Sequence, residues 1–240
     1  MMKEPRTTSP ADSASASAQP ARSAFAADLE QLKLQVEVMA LKVDDALARS
    51  TRVLLDGDRE LAADVVADDD EIDAMLVSLT ERCYELLVRQ SPVASDLRLV
   101  VSVLRILYDL ERTGDLCLRI VKLAPDQPQL ASNTETFQIL GSMAEEARKL
   151  FGLAVKAWAT QDLRLARTLE TRDDAMDEYN SVLMEALLRI EGLDAVPIAI
   201  STLLAGRALE RIADHSVMIG ERLRYMLTGD TDSLTKEIGP

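Results

Sequence analysis

From Phe25 onward, apolar residues return every three to four positions almost without interruption, which is the period of amphipathic helices. One stretch carries Leu99, Val103, Ile106, Leu110, Cys117 and Val121 as a single apolar seam. Another repeats Ile198, Ala205, Ile212, Ile219 and Met226 every seven residues, with Leu209 and Leu223 between them. Such seams are buried when helices pack at shallow angles, as in bundles. The pattern is broken at Asp56-Gly57-Asp58, Ser91-Pro92, Pro125 to Asn133, Thr160-Gln161-Asp162 and Glu191 to Pro197. It therefore predicts six helices, over about 25–55, 59–90, 93–124, 133–160, 162–191 and 195–228. Asp58 and Asp162 are placed to cap helix N-termini, and Pro92 and Pro197 suit first turns.

The two halves repeat each other. A shift of 104 carries Asp58, Leu61, Asp69 and Asp73 onto Asp162, Leu165, Asp173 and Asp177. A shift of 99 carries Leu110, Glu111, Arg112 and Asp115 onto Leu209, Glu210, Arg211 and Asp214. The change of offset falls at the helix junctions Arg89–Asp96 and Arg189–Ile198, where loops absorb length differences. The expected fold is all-α, two tandem three-helix bundles related by an internal repeat. Its expected division is a flexible tail at 1–24, repeats at 25–128 and 129–229, and a loose tail at 230–240.

Composition supports helices over sheets: aromatics make up 3% of the chain, so Leu, Ile, Val, Ala and Met must build the core. The formal net charge of −14 repels phosphate backbones, so nucleic acid is not an expected partner. The same charge attracts cations and basic protein surfaces. Cys83 and Cys117 sit among apolar residues without a CxxC spacing and read as reduced core thiols. The first two dozen residues are Ala-, Ser- and Pro-rich with no apolar h-region, and no apolar run reaches 18 residues, so a cytoplasmic protein is expected.

Each repeat carries two acid-x-x-x-acid elements: Asp69/Asp73 and Glu111/Asp115, then Asp173/Asp177 and Glu210/Asp214. Acids four apart share a helix face and repel each other unless a cation lies between them. With a second pair from an adjacent helix, four oxygen donors suit a hard cation. Angular position puts these pairs off the apolar seams, on an outer or groove-facing surface. A single such pair is ordinarily a solvated face offset by neighbouring arginines, here Arg112, Arg207 and Arg211. The matching repeat positions raise the set above that reading.

The segments around the pairs, RQSPVASDLRLVVSVLRILYDLERTGD (Arg89–Asp115) and ALERIADHSVMIGERLRYMLTGD (Ala208–Asp230), resemble the two signatures of the PhoU family. In that family, Asp-Leu-Arg precedes Leu-Glu-Arg-Ile-Gly-Asp in the first repeat, and Leu-Glu-Arg-Ile-Ala-Asp-His marks the second. The resemblance implies a negative regulator of phosphate uptake and of the phosphate-starvation response. Its implied partners are the ATPase subunit of a phosphate ABC transporter and a sensor histidine kinase. Membrane association is expected only through those partners, and a homodimer is expected. The resemblance also implies that the eight acids are candidate ligands for iron, manganese, magnesium or zinc. Thr113 stands where the first signature usually has Ile, and Met218 where the second often has Asn, with Arg119 at the corresponding first-repeat site.

Other classes fit less well. A di-metal oxidase bundle uses Glu-x-x-His elements, which this chain with its single His215 lacks. There is no Gly-x-Ser-x-Gly, no Ser-His-Asp set and no phosphate-cradling Gly-rich loop, so no enzyme is expected. The alternatives are a metal-independent helical adaptor and, further off, a carboxylate bundle with a storage or redox role. His215 reads as structural or surface, and Trp158 as packing at the end of the fourth helix.

Overall fold

The computed structural model describes residues 10–89, 94–172 and 174–232. Helices α1 (Pro10–Asp56), α2 (Arg59–Arg89) and α3 (Ala94–Val121) form the first repeat. A 3-10 turn (Ala124–Asp126) and the short α4 (Gln127–Ser132) then lead to the second repeat. That repeat comprises α5 (Thr134–Thr160), α6 (Leu163–Arg172), α7 (Asp174–Leu187) and α8 (Ala195–Thr228). No strand occurs among the described residues.

The first helix begins at Pro10, inside the segment expected to be a flexible tail. Alanine-rich sequence has high helix propensity, and proline is tolerated in a first turn, which explains the extension. Packing begins later: residues 22–24 are exposed and Phe25 is the first buried side chain of the described surface. The break expected over Pro125–Asn133 is itself short helix, with Pro125 and Pro128 in first turns. Gln127 Nε2 donates to the carbonyl of Leu55 at 2.8 Å, tying α4 to the end of α1. The segment predicted as one helix over 162–191 is covered by α6 and α7, which flank Asp173, a residue outside those described, and α7 ends at Leu187.

Capping follows the repeat. Gly57 and its counterpart Gln161 both close the preceding helix in the left-handed region, at φ 72° and 50°. Asp58 Oδ1 then accepts from the Leu61 amide at 3.0 Å, and Asp162 Oδ1 accepts from the Arg164 amide at 2.8 Å. These aspartates satisfy amide donors that a helix start leaves open.

Burial obeys the same register. Shifted by 104, Val36, Met39, Val43 and Leu47 fall on Leu140, Met143, Ala147 and Phe151, and all eight are buried. So are Val65, Ile72 and Leu79 with their counterparts Leu169, Met176 and Leu183. On α8, Gly220 lets α6 approach: a β-carbon there would lie 3.1 Å from the Ala166 carbonyl oxygen and 2.7 Å from Leu169 Cδ1.

Two seams join the repeats into one core. α3 packs along α8, and α1 along α5. The α3–α8 pair is antiparallel: Arg98 lies against Gly229, Asp109 against His215 and Arg222, and Asp126 accepts from Ser201 Oγ at 2.9 Å. At the other seam, Trp158 is 3% exposed and its indole Nε1 donates to the carbonyl of Lys33 at 3.2 Å.

Candidate carboxylate site

Helix α2 carries Asp69 and Asp73, and α3 carries Glu111 and Asp115, on neighbouring elements of the first repeat. The two helices lie close beside Gly114, where a β-carbon would make ordinary contact with Asp69 Oδ1 and Ile72 Cδ1, both at 3.5 Å. The four carboxylates share one electrostatic field. Burial raises the pKa of Asp69 first, and the charges of Asp73, Asp115 and Asp70 raise it further, against a lowering by Lys122. Burial likewise raises that of Glu111, reinforced by Asp115, Asp73 and Asp69 and opposed by Arg112. The site is thus short of positive charge.

Arg112 supplies some of it. Its guanidinium lies 3.0 Å from Asp115 Oδ2 and 3.5 Å from Glu111 Oε2, and stands over the Tyr108 ring at 4.9 Å from the centroid. In the second repeat, Glu210 and Asp214 are half-buried on α8, and Arg207 pairs with Glu210. Asp177 is exposed on α7, and Asp173 lies outside the described residues. Among the described acids, Asp69, Glu111, Asp115, Glu210 and Asp214 are half-buried and Asp73 and Asp177 exposed, and Asp69 lines the α1–α2 groove. As the side chains stand, no group of three or more His, Cys, Asp or Glu converges on a metal-sized point among the described residues. The donor chemistry of the first-repeat set suits a hard divalent cation, provided Arg112 yields its place.

Asp69→Asn removes one like-charge i,i+4 contact and is expected to stabilise the fold at neutral pH by about 0.2–0.5 kcal/mol. Asp69 and Glu111 hold protons more readily folded than unfolded, so their penalty is present at neutral pH and is relieved as pH falls through the raised values. The advantage of Asp69→Asn should accordingly shrink in mildly acid buffer. Urea titrations at the two pH values check both signs.

Sequence reasoning missed a second charged cluster. Asp109 on α3 is 1% exposed, with its Oδ2 2.6 Å from Arg222 Nη1 and its Oδ1 3.1 Å from His215 Nδ1. His215 is buried here, so of its two expected roles it takes the structural one. Cys83 and Cys117 are buried free thiols, pushed up to about 12 by desolvation, which keeps them unreactive.

Two homologous helical units, fused along two seams and bearing carboxylates off their apolar faces, define a duplicated helical-bundle protein. The PhoU domain matches the chain twice, over residues 36–124 and 140–223, so that each match lies within one structural repeat. The chain is 35% identical over 185 residues to the phosphate-specific transport system accessory protein PhoU homolog 1 of Mycobacterium tuberculosis, covering 77% of this chain and 84% of that one. It is 30% identical over 207 residues to the PhoU homolog of Pseudomonas aeruginosa, covering 85% and 86%. The crystal structure of PhoU from Pseudomonas aeruginosa superimposes with a TM-score of 0.79 at 29% identity, covering 86% of this chain and 100% of that one. That of the phosphate transport system regulatory protein PhoU from Streptococcus pneumoniae gives 0.77 at 25% identity, covering 86% and 98%. The chain belongs to the PhoU family.

Proposed function

We propose that this chain is a phosphate-transport accessory protein that acts as a negative regulator of phosphate uptake and of the phosphate-starvation response. In this reading it works in the cytoplasm as an adaptor between the ATPase subunit of a phosphate ABC transporter and a sensor histidine kinase. The observation that carries the proposal is the double PhoU-domain match across both repeats. Relatives named as phosphate-specific transport system accessory proteins also match over most of both chains. None of the described helices is long and apolar enough to cross a membrane, which agrees with attachment through partners. Phosphate status would shift which partner complex is populated and so hold the kinase silent when phosphate is plentiful. The decisive test is a phosphate-starvation reporter in a deletion strain on abundant phosphate. Constitutive expression, silenced again by the wild-type gene, is the expected result; a reporter that stays silent in the deletion strain would reject the regulator reading.

The metal reading belongs to the same proposal. Asp69, Asp73, Glu111 and Asp115, with Asp173, Asp177, Glu210 and Asp214 in the second repeat, are the residues that would hold divalent or iron ions. A bound cation would neutralise the like charges that now penalise Asp69 and Glu111. Asp115→Asn combined with Asp214→Asn is expected to lower bound metal in elemental analysis of the purified protein; unchanged stoichiometry would remove these acids as ligands. A metal-independent adaptor is the second reading, favoured by Arg112 and Arg207 already paired to Glu111, Asp115 and Glu210.

A further inference from the structure

A groove of about 340 Å³ runs between α1 and α2 of the first repeat, beside the carboxylate cluster. Its floor is apolar, with Ala46, Val65 and Ile72 below, while Val38 and Leu41 stand at the α1 rim beside Lys42, Asp45 and Arg49. The rim residues are far from covered, with Val38 50% and Leu41 52% exposed, and Leu34, one turn further along the same face, 62% exposed. The α2 wall is acidic, with Asp68, Asp69 and Glu71. Asp45, Asp68, Asp69 and Glu71 line the groove against only Lys42 and Arg49. Both bases are already engaged, Lys42 with Glu71 and Arg49 with Asp45 and Asp68. Beyond the groove the acidity continues, since residues 64–73 hold six acids and no base.

The second repeat does not reproduce this surface. At the same shift of 104, Val38 and Leu41 become Ser142 and Glu145, Asp68 becomes Arg172 and Glu71 becomes Ala175. The counterpart face there has one groove lined by Glu146, Lys149, Arg172 and Asp174 and, beside it, a second lined by Ile139, Tyr179 and Val182, so apolar and mixed-charge residues stand apart instead of an aliphatic rim facing an acidic wall. The buried positions of the two helices match between repeats, so the fold does not require this difference.

We infer that the α1–α2 groove of the first repeat docks a basic amphipathic helix of a partner protein, its apolar face on Val38 and Leu41 and its Lys and Arg side chains on the α2 acids. An aliphatic strip at helical spacing beside a wall of one charge is the arrangement by which grooves take amphipathic helices, and charge complementarity sets the sign of the partner. This inference rests on the adaptor reading and supplies the chemistry of one of its contacts.

The test uses the full chain and a labelled synthetic leucine-lysine amphipathic helix, with fluorescence anisotropy as the readout. Its controls are a scrambled peptide of equal composition and a leucine-glutamate counterpart. The wild-type protein should bind the leucine-lysine helix and neither control. Leu41→Glu and Val38→Glu should each weaken binding about tenfold or more, equivalent to about 1.4 kcal/mol. Ile200→Glu, on an exposed face of α8, should leave it unchanged. The glutamate variants are diagnostic because each adds negative charge. Attraction to the overall charge of −14 alone would make them bind the cationic helix more tightly. Tighter or unchanged binding by Leu41→Glu and Val38→Glu, equal binding of the scrambled peptide, or no binding by wild type would each overturn the inference. The rim residues are exposed, so the variants should keep the wild-type circular dichroism spectrum. These outcomes are independent of the reporter assay, which tests the regulator reading by itself.

Discussion

Asp109→Ala is expected to cost about 3–5 kcal/mol of folding stability, the range for stripping one partner from a buried charge pair. The loss follows from position more than from contact number. Asp109 sits on α3 at the α3–α8 seam with 1% of its surface exposed, and Arg222 reaches it from α8 with a side chain 9% exposed. Without the carboxylate, the guanidinium keeps its charge, because arginine does not deprotonate, and stays where water cannot replace the acid. His215→Ala should be milder, about 1–3 kcal/mol for taking one hydrogen bond from a buried carboxylate. For a chain of this size each kcal/mol moves the melting temperature by roughly 2–4 °C. Urea titration followed by circular dichroism separates the cases. A loss for Asp109→Ala no larger than for His215→Ala would mean that the seam is held by its apolar contacts alone.

Trp158→Ala is expected to cost a similar amount, about 3–5 kcal/mol for truncating a buried aromatic. The indole lies at the end of α5 where it meets α1, and its counterpart one repeat earlier, Leu54, is equally buried. Its N–H donates across the seam to the Lys33 carbonyl. Trp158→Phe keeps most of the volume and removes that bond, so about 1 kcal/mol of the loss should remain. As the only tryptophan of the chain, it also reports on the seam directly. Its emission should shift to the red in the same transition that melts the helices, and an earlier shift would show α1 and α5 parting before the repeats unfold.

Much of the fold was legible because the apolar seams are long. Leu99, Val103, Ile106, Leu110, Cys117 and Val121 are all buried, as their three-four spacing required. The repeat register was legible too, because duplicated carboxylates and duplicated core positions agree. Asp109 shows where such reasoning stops. Periodicity identifies the face of a helix that is buried, but a helix gripped from two sides buries positions beyond one seam. α3 meets α1 and α2 on one side and α8 on the other, and the second contact covers an aspartate that pattern alone leaves in solvent. No spacing links Asp109 to Arg222, since only tertiary pairing brings them together. The acids and the offsetting Arg112 and Arg207 were legible in the sequence, whereas the shared field of the α2 and α3 pairs depends on how those helices pack.

The charged seam also breaks the symmetry of the duplication. Two copies of one ancestral half would meet α3 to α3 about a twofold axis, each position facing its own image's partner. In the present chain the counterparts of Asp109, His215 and Arg222 are Ala208, Leu116 and Leu123, all buried and apolar. One diagonal of the seam is thus ionic and the other is oily. Two first halves brought together would set each Asp109 against leucines, and two second halves would set each Arg222 against alanine. Either pairing would take from a buried charge the partner it has across the seam. The halves have become lock and key to each other, and neither can serve as its own mate.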